Sequence, residues 1–301
     1  MLIDTISTTT KALASQRATE VISRQAAYPA LFSRNEYADN VFRTATPIAG
    51  ELVNIIIQVN LLRSYRTLSP ENTSYINSVT AVFHSLDAID MDALAETATS
   101  TIKIKSASSY NSHHRDVLVQ PAVQHDIDCK IAWLALVTAY HSAVTIYAIS
   151  SLAGFGSSAA RMKNLATATS SAWSSMLIAR EKTAYRALIS SISCIFRQRA
   201  ERRAVSTGNR SIGFEVTSVG LLHKFLVWPM VMAGIQASLV EHDEVETKSL
   251  CWKMRQVGKE LGTFGMIDGA QFVEGLLAQG HQKNTLRAWD DIFLGMPLFL
   301  M

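Results

Sequence analysis

Proline is scarce in this chain, with six in 301 residues, so few positions force a break in a helix or strand. Cysteine is scarcer still. Cys129, Cys194 and Cys251 lie far apart with no Cys-x-x-Cys pair, which excludes a zinc cluster or a disulfide framework and makes a reducing compartment the expectation. Charge is thin at 18% of residues, and a formal net charge of +3 is too small and too evenly spread to mark a nucleic-acid binder. Long apolar runs are missing too. The longest, Phe225 to Ile235, is about half of the roughly 20 residues that span a bilayer. At the start, Met1-Leu2-Ile3-Asp4 and Ser7-Thr8-Thr9-Thr10 have neither a basic stretch nor an apolar one, so no secretory signal is expected.

What remains is apolar and favours helices. Hydrophobic residues make up 48% of the chain, enough at this length to bury a sizeable core. With no alternating strand pattern and no repeat, the expectation is an all-α fold: a single-domain, multi-helix bundle over residues 1–301 with a central apolar pocket. Residues 1–30 read as a peripheral N-terminal helix. From Pro47 to Tyr65, Ile48, Leu52, Ile55, Val59 and Leu62 recur at helical spacing, with Pro47 placed to start the helix. Residues 69–98 read as one or two helices, and 99–124, ahead of and around Pro121, as a polar loop. Ile131 to Leu152 is almost unbroken in apolar character, which makes it the central helix. Further helix is expected over 161–203, up to a turn at Ser206-Thr207-Gly208-Asn209, and over 220–234, 245–258 and 268–278, with a terminal segment around Trp289.

Polar residues in apolar settings are the first functional candidates. Glu51, Asn54 and Gln58 share one face of the Pro47–Tyr65 helix, as a satisfied polar network or as the orienting side of a ligand site. His125-Asp126-Ile127-Asp128 stands just before the central helix, either capping it or placing two carboxylates at the mouth of an aromatic interior. Asp87, Asp90 and Asp92 read as a solvated surface turn, and Glu241, Asp243, Glu244 and Glu246 form an acidic run between two helices. Other chemistries lack support. No Gly-x-Ser-x-Gly elbow is present; Gly154-Phe155-Gly156 follows a helix with no phosphate-loop lysine; and Arg197 to Arg203 has no interleaved aromatic beyond Phe196, so it reads as a solvated helix end.

Leu226-Val227-Trp228-Pro229-Met230-Val231-Met232-Ala233-Gly234-Ile235, followed by Trp252-Lys253-Met254-Arg255-Gln256-Val257-Gly258, resembles the late region of the fungal-specific transcription factor domain. There an apolar Trp-Pro helix ends in an Ala-Gly pair and an amphipathic helix follows. The stretch from Trp133 to Tyr147, with His141 and Ala143, is similar to that family's middle helix, so the resemblance covers roughly residues 130 to 290. It implies an all-helical fold and a regulator. In that family a cluster of six cysteines that binds zinc and DNA normally precedes the domain, and this sequence has no such cluster.

In size, helical character and the missing zinc cluster the chain also resembles the terpene cyclases of fungal tropolone sesquiterpenoid clusters, the humulene-synthase type. That resemblance implies Mg²⁺-dependent ionisation of farnesyl diphosphate, a prenyl diphosphate, and cyclisation to a humulene-like hydrocarbon in fungal secondary metabolism. Such chemistry needs carboxylates for Mg²⁺, cations for the diphosphate and a dry aromatic pocket for the carbocation. The residues assigned to it are Asp126, Asp128, Asp243 and Glu246 for the metal, although Cys251 stands where a second metal motif would end in Glu. Glu51, Asn54, Gln58, Lys130 and Arg255 are assigned to the ligand, and Trp133, Tyr140, Trp228, Leu286 and Trp289 to the pocket. The cyclase is the expected function, because it accounts for a chain without a zinc cluster, and a transcription-factor-like regulator is the alternative. The first is expected in the cytoplasm and the second in the nucleus. Neither needs direct nucleic-acid binding or a membrane span, and both are compatible with a homodimer.

Overall fold

A computed structural model describes residues 50–68, 73–99, 120–153, 171–208, 218–280 and 292. Side chains at some helix ends, among them 120–128 and 202–208, lie outside that description. The elements are α1 (Gly50–Leu68), α2 (Thr73–Asp87), α3 (91–99), α4 (Gln120–Ala153) and α5 (Ser171–Gly208). A 3-10 segment (Ser218–Leu226) then leads into α6 (Val227–Gln236), a π turn (Ala237–Glu241), α7 (Glu244–Leu261) and α8 (Phe264–Gly280). The fold is all-α, with no strand among the described residues.

The centre is α4, because its sequence is apolar on every side. From Ser142 to Leu152 every residue is buried, Tyr147 completely. Against it lies α5, whose Leu177, Glu181, Ala184, Leu188, Ile192 and Ile195 return to the buried side every three or four residues. On other sides α1 and α2 pack against α4, and α6 connects α4 to the α7/α8 pair. Cys129–Leu152 is long and apolar enough to cross a membrane, at mean hydropathy 1.4, but 78% of that window is buried inside the protein, as in a core helix. Thr138, His141 and Thr145 interrupt the apolar run there without lowering its average much.

Several boundaries differ from the sequence reading. Both ends of the expected polar loop at 99–124 are helical: Thr99 closes α3 with its hydroxyl donating to the Ala95 carbonyl at 2.7 Å, and 120–124 already belong to α4. Pro121 falls in that first turn, where a missing N–H loses no partner. Helix α5 continues through Gly208 where a turn was expected. The 220–234 helix is instead two segments that meet at Leu226 and Val227. The N-terminal helix at 1–30, Pro47, the segment 100–119 and the region around Trp289 lie outside the described residues.

Glycine and acidic residues set the last turns. Asp243 caps α7, its carboxylate accepting from the Glu246 amide at 2.9 Å, and Asp90 does the same for the Ala93 amide in α3. Gly262 ends α7 at φ 65, the left-handed conformation that glycine adopts without strain.

Candidate functional site

Three of the pocket aromatics come together as core. Trp133, Tyr140 and Trp228 are all buried, and the Tyr140 and Trp228 rings stack with centroids 5.8 Å apart. The reason lies in Pro229. A continuous helix would have its N–H bond the Phe225 carbonyl four residues back, and proline has no N–H to offer. That carbonyl instead accepts the Tyr140 hydroxyl at 2.6 Å. Tyr140 thus completes the backbone where the 3-10 segment turns into α6, and its ring holds Trp228. Tyr140→Phe is expected to remove this part-buried hydrogen bond and to cost about 1 kcal/mol in chemical denaturation, with the far-ultraviolet circular dichroism unchanged.

Of the acids assigned to a metal, Asp126 and Asp128 have side chains outside the described residues. Asp126 and Asp128 sit within α4, whose backbone is helical from Gln120. Positions two apart on a helix do not share a face, so the expected arrangement just ahead of the helix is corrected. Asp243 is occupied as a cap, and its backbone carbonyl accepts the Thr247 hydroxyl at 2.6 Å. Glu244 pairs with Lys248 at 2.5 Å. Among the described residues no group of three or more His, Cys, Asp or Glu is placed to hold a metal ion, so they do not supply the several oxygens at one point that Mg²⁺ requires. Asp243→Ala is expected to lower stability by about 1 kcal/mol, whereas Asp243→Asn, an equally good cap, retains it. Thermal unfolding of the two variants separates a cap from a metal ligand, since a ligand tolerates neither.

Nor do the ligand-binding assignments converge. Glu51 and Gln58 are exposed while Asn54 between them is half-buried, so the polar stripe points outward at both ends and only the Asn54 amide oxygen is buried, without a hydrogen-bond partner among the described residues. Its departure from the expectation follows from α1 burying Leu52, Ile55, Ile56 and Val59 instead. Arg255 makes a two-pronged ion pair with Glu274, Nη2 to Oε2 at 2.6 Å and Nη1 to Oε1, which raises its already high pKa. Lys130 is exposed and 4.0 Å from Glu96. Cys251 is buried with its thiol pushed up to about 12, by burial first and by Glu274 second, so it is inert. Leu286 and Trp289 lie outside the described residues.

The most developed polar constellation escaped the sequence reading. Arg63 Nη1 donates to Asn60 Oδ1 at 3.0 Å and to the Tyr147 hydroxyl at 2.9 Å, and that hydroxyl donates to Asn60 Oδ1 at 2.6 Å. All three side chains are buried. The signal was present, since Asn60 and Arg63 stand three apart on α1 beside its apolar face, but Tyr147 is 84 residues from Arg63.

A second constellation clasps the C-terminus of α2. Arg180 makes a bidentate pair with Asp87 at 2.7 and 3.0 Å, donates to the Phe83 carbonyl at 3.2 Å and lies over the Phe83 ring at 4.9 Å. His141 Nε2 stands 2.9 Å from the Leu86 carbonyl. Burial, above all, and then Arg180 hold the His141 pKa below 6.5, against the opposing pull of the Leu86 bond and Asp87. The unfolded chain therefore takes up this proton first. Stability from neutral His141 is complete above pH 6.5 and falls as the pH drops below it, by at most about 1.4 kcal/mol per pH unit for one proton. Urea unfolding at pH 7.5 and 5.5 is expected to show a smaller acid loss in His141→Gln than in the wild type.

Beside this clasp an apolar cleft opens between α2, α4 and α5, lined by Tyr75, Val79, Phe83, Ile149, Trp173 and Leu177. Its space, open mouth included, is about 280 Å³. This cleft lies at the side of α4, whose residues from Ser142 to Leu152 are themselves all buried. Comparison with protein-family models, curated proteins and solved structures finds no match to this chain.

Proposed function

We propose that the chain is a helical regulatory module of the fungal-specific transcription factor type, acting through protein contacts and located in the nucleus. The observation that carries this reading is the use made of the resembling residues. Trp228 to Gln236 are buried without exception, and Gly234 is pressed against Val273, so that a Cβ there would stand 2.7 Å from both Val273 methyl carbons. Gly258, at the end of the second resembling stretch, is as closely opposed by Ile267 at 2.8 Å. These are the positions at which that family's motif would act as architecture. Three of the residues a cyclase would use are engaged otherwise: Asp243 in a cap, Arg255 with Glu274, Tyr140 with a backbone carbonyl.

The test has two arms. The chain is fused to a heterologous DNA-binding domain and its effect on a reporter is measured, with a change of about fivefold or more in transcription expected. In parallel the purified protein is incubated with farnesyl diphosphate and Mg²⁺, and the organic extract is analysed by gas chromatography. A silent fusion together with a metal-dependent sesquiterpene hydrocarbon would replace the regulator with the cyclase.

A further inference from the structure

The inner face of α7 is fixed by Thr247, Leu250, Cys251, Met254, Val257 and Gly258, all buried. Its outer face carries two large apolar side chains in the open: Val245 is 80% exposed and Trp252 61%. Seven residues separate them, two helical turns, so they share one stripe about 10 Å apart along the axis. A further seven residues on the stripe reaches Lys259, which is exposed. Among the described residues no ion pair holds Lys259, or Lys253 beside Trp252. At the opposite end Glu241 and Asp243 are exposed, and Glu244 is exposed and paired with Lys248. The ridge therefore has two apolar side chains with the Lys248–Glu244 ion pair between them, a free positive end and a negative end.

An exposed tryptophan on a rigid helix is an interface anchor, and the charge at its two ends fixes which partner fits and in which direction. Carboxylates on the partner gain from Lys253 and Lys259 and are repelled at the Glu241–Glu244 end. We infer that Val245 and Trp252 form a docking ridge for an acidic segment of another protein that carries apolar anchors, its carboxylates lying toward Lys259. The inference deepens the regulator reading and rests on it.

The probe is a fluorescein-labelled peptide of about 15 residues that alternates Asp or Glu with Leu and Phe, and anisotropy reports its binding to the full chain. Trp252→Ala is expected to weaken binding about tenfold or more, and Lys259→Glu several-fold with loss of most of the salt dependence. Both variants keep the wild-type melting temperature, since neither side chain is buried. The inference is overturned if the variants bind as the wild type does, if a peptide with Lys in place of the acids binds equally, or if the chain is a dimer that Trp252→Ala dissociates, in which case a second copy occupies the ridge. The reporter fusion separates the two claims. A silent wild-type fusion whose protein still binds the peptide with this pattern removes the regulator reading alone, whereas an active fusion unaffected by Trp252→Ala removes the ridge alone.

Discussion

Asn60→Ala is expected to lower the stability of the fold by about 3–5 kcal/mol, the scale seen when one partner of a buried charged network is removed. Asn60 has no exposed surface, Arg63 is 3% exposed and Tyr147 is fully buried. One oxygen, Asn60 Oδ1, accepts from both of the others. Its removal leaves a guanidinium N–H and a phenol O–H competing for what remains, in an interior where an unmet donor carries its full desolvation penalty. Tyr147→Phe also removes two of the three bonds, but the ring stays in place and the Asn60 oxygen still accepts from the Arg63 guanidinium, so it is expected to cost less, about 1.5–3 kcal/mol. Equilibrium urea unfolding followed by circular dichroism measures both. Equal losses in the two variants would mean that the phenol, and not Asn60, is the hub of the network.

The position of that network explains how far the sequence could be read. Periodicity placed α1, α7 and α8 to within a few residues, because each buries a stripe whose spacing is a local property. In α4 it placed the apolar part and the C-terminal end, but the helix begins at Gln120, eleven residues ahead of the expected Ile131, because its first turns carry the polar residues His125, Asp126 and Asp128 that read as lying before a helix. The site was less legible because its contacts are long-range. Asp243 looks like a potential ligand in the sequence, and only the amide of Glu246 at 2.9 Å makes it a cap. Arg255 looks like a free cation until Glu274, 19 residues on, is brought against it. Pro229 denies the Phe225 carbonyl its helical donor, and the hydroxyl that answers it belongs to Tyr140, 85 residues from Phe225 in sequence. Charge and aromaticity are visible one residue at a time, whereas the partner that decides their role is chosen by packing.

Gly234 makes the same point in reverse, since its importance lies in what it lacks. A helical glycine ordinarily costs about 1 kcal/mol relative to alanine, so Gly234→Ala would be stabilising if α6 stood alone. Instead the new methyl would meet Cγ1 and Cγ2 of Val273 at 2.7 Å and its Cβ at 3.3 Å. Val273 is fully buried on α8, and a β-branched side chain in a helix has essentially one rotamer, so it cannot swing aside. Overpacking of this kind costs about 1–3 kcal/mol or somewhat more, and the net loss expected for Gly234→Ala is about 2 kcal/mol. Val273→Ala alone opens a cavity and is expected to cost a similar amount. In the double variant the added methyl occupies the space vacated, so the two losses should fall short of their sum by at least about 1 kcal/mol. Gly262→Ala supplies the contrast. There φ is 65 and nothing lies within 4 Å of a would-be Cβ, so the loss of about 1 kcal/mol comes from the backbone conformation and no second substitution on α8 relieves it. Additive losses for Gly234 and Val273 would show that α6 and α8 do not approach at this point, and the architectural role given to the Ala-Gly pair would fall with that contact.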